Sequence, residues 1–160
     1  MPDFLVDNDE FGTLAASILS GYQGLRFKAR GRSMRPFIHD GDIVEVKNTS
    51  LDCLIRGDVV LCRLSDGRLV VHRVIMSESE QLLIQGDALP YTDGFIPRTS
   101  VLGKVISFTR NGKHYSVQRA WMMSLVSLWL LLTPVRNVIY RVGSRLHRCL
   151  RKNKLVNTIY

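Results

Sequence analysis

Residues 58–76 read DVVLCRLSDGRLVVHRVIM, and this stretch decides the fold. Two runs dense in valine, leucine and isoleucine, Asp58–Arg63 and Leu69–Met76, flank the dipeptide Asp66-Gly67. β-Branched side chains suit a pleated, half-buried surface, and an Asp-Gly pair accepts the backbone angles of a tight turn. The stretch therefore predicts a β-hairpin. The same pattern continues outward. Leu25–Arg30 alternates, Ile43–Lys47 follows the turn Asp40-Gly41-Asp42, and Gln81–Gln85, Val101–Thr109 and His114–Gln118 complete a series of short strands. Asn111-Gly112 supplies a second hairpin turn between the last two.

Ahead of the strands, Asp9 reads as the cap of a helix over Glu10–Ser20. Phe11, Leu14, Ala15 and Ile18 form its apolar face, and Gly21 stops it. The fold class is mainly β: an antiparallel β-domain over residues 23–118, preceded by a short N-terminal helix within residues 1–22. A hydrophobic and basic helical segment follows over residues 119–160.

That last boundary is drawn by charge. The 160 residues carry 22 Lys+Arg against 14 Asp+Glu, a net +8, but the last acidic residue is Asp93. Residues 1–118 hold 14 basic and 14 acidic residues. The whole excess is Arg119, Arg136, Arg141, Arg145, Arg148, Arg151, Lys152 and Lys154. A neutral domain with a cationic appendage argues against a basic nucleic-acid binder. Ala120–Val135 has 16 residues and no charge, with Trp121 and Trp129 suited to an interface, and seven positive charges follow. A membrane surface or bilayer is the expected partner of residues 120–154, and the alternative is a C-terminal helix packed on the domain with a solvated basic end. Membrane-associated localisation, at the cell membrane, is the matching expectation. The positive-inside tendency puts the basic end in the cytoplasm. A spanning segment then places the domain outside, and an interfacial one keeps it inside. Met1–Glu10 is acidic and has no secretory-signal character. Cys53, Cys62 and Cys149 lack metal or disulfide spacing, and no metal or organic cofactor is expected.

The residues with chemistry in them lie around Gly31-Arg32-Ser33-Met34-Arg35-Pro36 and His39-Asp40-Gly41-Asp42. A serine between a flexible glycine and a rigid proline, just ahead of a strand, presents its hydroxyl on a fixed scaffold. To act as a nucleophile it needs a base and nearby N–H donors for an oxyanion.

Here the local words match a family. Ser33-Met34-x-Pro36 with Gly41-Asp42 resembles the nucleophile box of type I signal peptidases and the related LexA-like autoproteases. Arg56-Gly57-Asp58-Val59-Val60 resembles the next box, and Leu69–Ile75, with His72 before Arg73, the base-bearing one. Gly86-Asp87 with the later Asp93 resembles the Gly-Asp-Asn box of the endoplasmic-reticulum and archaeal branch, where the base is histidine. Gly103-Lys104-Val105 looks like the family's closing strand. The resemblance implies catalysis by Ser33, His72 and Asp93, with Asp87, Gly31, Met34 and Pro36 in support. Either Asp93 or Asp87 could orient His72, and Asp93 is the better match. Two positions depart from the pattern. Ala88 replaces the common asparagine, and Gly31 lacks a hydroxyl that some relatives give to the oxyanion hole.

The function so implied is a serine endopeptidase that binds precursor peptides in extended form and cuts after small residues. Three alternatives stand beside it. The first is a cytoplasmic peptidase processing a leader peptide or regulator. The second is a LexA-like self-cleaving regulator, disfavoured because the base there is lysine and no DNA-binding motif fits before Ser33. The third is an inactive membrane-associated binding module. Lys104 is a secondary candidate base, while His39, His114 and His147 read as surface histidines.

Overall fold

The computed structural model describes residues 8–21, 24–117 and 125, 128, 129 and 131. One helix, α1 (Asn8–Ser20), precedes eight strands: β1 (Leu25–Lys28), β2 (Ile43–Lys47), β3 (Val59–Arg63), β4 (Leu69–Ser77), β5 (Gln81–Gln85), β6 (Gly94–Pro97), β7 (Val101–Arg110) and β8 (Lys113–Ser116). All pairings are antiparallel, in the order β1-β2-β7-β3-β4-β5-β6, with β8 also on β7. The mainly antiparallel β fold with its N-terminal helix is as the sequence indicates.

The 58–76 hairpin is present as β3 and β4, with Val60 opposite His72 and Arg63 opposite Leu69. Asn111 and Gly112 both take positive φ, 49° and 75°, as the two-residue turn between β7 and β8 requires. Alternation along β3 divides the interior in two. Val59 and Leu61 enter one core with Ala15, Leu19, Met34, Ile38, Val44, Val46, Val105 and Phe108. Val60 and Cys62 enter a second core with Leu54, Val74, Leu82, Ile84 and Ile96. A strand buried on both faces reads as an unbroken apolar run, which is what Val59–Cys62 shows.

Three expectations need correction. The helix begins at Asn8, so Asp9 lies inside its first turn and does not cap it. Its buried face is Gly12, Ala15 and Leu19, while Leu14 is exposed. The cause is close packing on β7 and β1: a Cβ on Gly103 would stand 3.3 Å from Leu19, and one on Gly12 would collide with the Arg63 guanidinium. Small residues set the contact face, and the bulkier Leu14 turns out. Last, β6 was not expected, because Gly94-Phe95-Ile96-Pro97 is short and bounded by two strand breakers.

Most of the hydrophobic and basic stretch 119–160, including His147 and Cys149, lies outside the described residues. Among the described residues no helix is long and apolar enough to cross a membrane.

Candidate active site

The serine sits in the connection between β1 and β2, a turn tied at its base and its middle. Ala29 N–H donates to the Asp42 carbonyl (2.7 Å), and Gly41 N–H donates to the Ala29 carbonyl (2.8 Å). Gly31 N–H donates to Asp40 Oδ1 (2.8 Å) and His39 N–H to Asp42 Oδ2 (2.7 Å). Arg110 grips the same Asp42 carboxylate through Nε and Nη2, the latter at 2.7 Å. Burial pushes the Asp42 carboxyl up, but Arg110 and the His39 N–H outweigh it and leave the group below its ordinary value. Met34 and Ile38 plug the turn into the first core, and Pro36 stands exposed between them. Gly31 has φ +96°, a conformation that side chains disfavour, so its missing hydroxyl has a backbone cause.

Held this way, Ser33 is half-buried. Neither its hydroxyl nor its backbone N–H has a hydrogen-bond partner among the described residues. Both are therefore available to a ligand.

The other half of the site comes from β4. Successive strand residues face opposite sides of a sheet, and His72 and Arg73 show this directly. His72 Nδ1 meets Asp93 Oδ2 at 2.6 Å, with both side chains nearly buried. Arg73, on the opposite face and 1% exposed, grips Asp87 with two 2.7 Å bonds and donates a third to the Gly57 carbonyl. Phe37 covers its guanidinium, 5.0 Å from the ring centre. Of the two aspartates considered for His72, Asp93 makes the contact and Asp87 is engaged by Arg73.

Gly86 closes the distance between the two halves. A Cβ at this buried position would stand 2.8 Å from the Ser33 carbonyl and 3.0 Å from His72 Nε2. Only a residue without a side chain lets the serine turn and the imidazole approach so closely. The following peptide group serves two partners. Ala88 N–H donates to the Ser33 carbonyl at 2.7 Å, and the Asp87 carbonyl accepts the Trp129 indole N–H at 3.2 Å. Trp129 also meets Phe37 edge-on, with ring centres 5.9 Å apart.

The geometry thus brings the serine turn, with its unbonded hydroxyl, and an imidazole whose other nitrogen is held by a carboxylate to either side of Gly86. The serine-to-histidine bond itself is not formed, and in unliganded sites such bonds are often long until substrate binds. Competing groups are committed elsewhere. Lys104 Nζ is paired with Asp58 at 2.7 Å. Burial, with the charge of Asp93 adding to it, pushes the Cys62 thiol up to about 12. His39 Nε2 contacts the Pro36 carbonyl and His114 is exposed. No group of three or more metal-ligating side chains occurs among the described residues.

Three residues stand in stretches that the sequence singles out, but their contacts at the site escape sequence reading: Arg73, Gly86 and Trp129. The first had a signal. With period-two alternation, adjacent His72 and Arg73 cannot share a face, so two downstream aspartates invite one partner each. Trp129 had none, because nothing local ties it to Asp87.

The family model for Peptidase S24-like proteins matches residues 6–106, and the chain belongs to that family of peptidases. No curated protein matches the chain significantly.

Proposed function

We propose that this chain is a serine endopeptidase using Ser33 as nucleophile, His72 as base and acid, and Asp93 as the group that orients His72. The 2.6 Å contact of Asp93 with His72 Nδ1, with Nε2 meeting Gly86 across from the turn that carries the unbonded Ser33 hydroxyl, is the observation that carries the reading. Asp93 holds the tautomer with its proton on Nδ1, leaving the Nε2 lone pair toward the Gly86 side where Ser33 lies. As Ser33 Oγ bonds to the substrate carbonyl carbon, its proton passes to Nε2. The carbonyl oxygen takes negative charge, facing the free Ser33 N–H. His72 then gives the proton to the departing amine, the peptide C–N bond breaks, and an acyl-Ser33 ester remains. Water, deprotonated by the same nitrogen, releases the acid and restores the hydroxyl.

Substrate binding follows from the sheet. β4 pairs with β5 only from Arg73 onward, so among the described residues no strand lies on its second edge beside Leu69–Val71. An extended peptide adding to this edge runs directly toward His72. Within the family, a histidine base points toward the signal-peptidase-like way of working on other chains, with small residues before the cut, rather than toward self-cleavage with a lysine base. A serine-directed acylating probe tests the proposal. Wild-type protein is expected to become labelled, and Ser33→Ala and His72→Ala to lose the label. A folded wild type that resists labelling overturns it.

A further inference from the structure

Residues 125, 128, 129 and 131 are helical, and their exposures show which way these four side chains face. Trp129 faces the domain, bonded to the Asp87 carbonyl and packed on Phe37. At about 100° per residue, Leu125 lies about 40° around the helix from Trp129, Leu128 about 100° and Leu131 about 160°. Their exposures rise in the same order, 47%, 53% and 73%. Three large apolar side chains therefore roll progressively away from the protein.

We propose that this leucine face docks on the surface of an anionic lipid bilayer, with Trp129 pinning the segment to the rim of the candidate site. The assignment of the occupant rests on charge. The stretch around the leucines, residues 120–135, has no charged residue, and residues 136–154 hold seven basic and no acidic ones. Residues 1–118 are neutral in balance, so the net positive charge that an anionic surface attracts comes from this end of the chain. An apolar face beside a basic run is the combination that holds a helix in a lipid interface. A second copy of the chain would bring seven like charges against seven, which works against self-association at this face. Nucleic acid would match the charges and leave the leucines without a partner. With the peptidase reading, docking puts Ser33 beside the bilayer and makes its substrates peptides presented at the membrane surface.

The test uses the full chain carrying Ser33→Ala, so that binding is read without cleavage, in flotation with two kinds of vesicle. Binding to phosphatidylcholine vesicles containing phosphatidylglycerol is expected to exceed binding to pure phosphatidylcholine by about tenfold or more and to weaken with salt. Leu128→Glu with Leu131→Glu, or Leu131→Gln alone if the pair fails to fold, is expected to lower anionic-vesicle binding by about tenfold or about threefold respectively. Equal binding to both vesicles, folded leucine variants that bind as before, or a dimer that those variants dissociate overturns the proposal. Acylation of Ser33 in solution, measured on the same leucine variants with the serine restored, is expected to stay at the wild-type level. Loss of the lipid step and loss of the peptidase reading are thereby told apart.

Discussion

His72 and Arg73 are consecutive residues of β4, and each is held to an aspartate of the connection between β5 and β6. The distances are nearly equal, 2.6 and 2.7 Å, but the chemistry is not. Arg73 offers a permanent charge through a rigid fork, and every direction around it is filled by Asp87, Gly57 and Phe37. His72 offers an imidazole ring with one nitrogen occupied and the other facing Gly86 and the serine turn. The first pair is built to stay as it is, and in the proposed mechanism the second changes state. One strand separates them by alternation alone, so the two pairs share a backbone without sharing a face.

The largest effect expected from breaking this contrast is His72→Gln. Peptide cleavage should fall roughly 10⁴-fold while the urea midpoint moves little, because a hydrogen-bonding side chain of similar size remains. The converse change is Arg73→Met. It takes the Arg73 guanidinium away from the buried Asp87 carboxylate and should cost about 3–5 kcal/mol in urea unfolding. Adding Asp87→Leu to Arg73→Met should recover much of that loss, since the buried carboxylate is then gone as well. A weaker blow falls between the two pairs. Gly86→Ala pushes a methyl against the Ser33 carbonyl and the imidazole, and turnover should drop roughly 10²-fold in a protein that still folds.

The smallest effect belongs to a third pair, Asp42–Arg110, whose arginine is partly exposed. Asp42→Asn should cost about 1–2 kcal/mol at neutral pH. The Asp42 carboxyl is lowered in the folded state from its ordinary 3.8. Its contribution is thus complete above that value and lost as pH falls through the lower folded one. Wild-type and Asp42→Asn unfolding curves should converge on acidification. Curves that stay apart at low pH would mean the carboxylate charge is not what stabilises the turn.

What could be read in advance was local. The hairpins were visible because Asp66-Gly67 and Asn111-Gly112 carry their turn geometry in two residues. The separate words around Ser33, His72 and Asp93 each survive in their own strand or turn. What was hidden depends on distant neighbours. β6 is a strand only because β5 pairs with it. Leu14 and Leu19 fit equally well into a periodic stripe, and the contact with β7 decides between them. Asp87 and Asp93 are both acidic residues after β5; the resemblance favours Asp93 for His72, and the fold supplies Arg73 as the partner of Asp87.

The peptide group joining residues 87 and 88 has a further consequence. Its oxygen is bound by Trp129 and its N–H binds the carbonyl of Ser33. Because that unit is planar and stiff, the two contacts form one thermodynamic system. Trp129→Phe and Ala88→Pro, which remove one contact each, should be non-additive in a double-mutant cycle. Reciprocity then runs in both directions. Whatever free energy the seating of Trp129 adds to the binding of a ligand at Ser33, that ligand must add equally to the seating of Trp129.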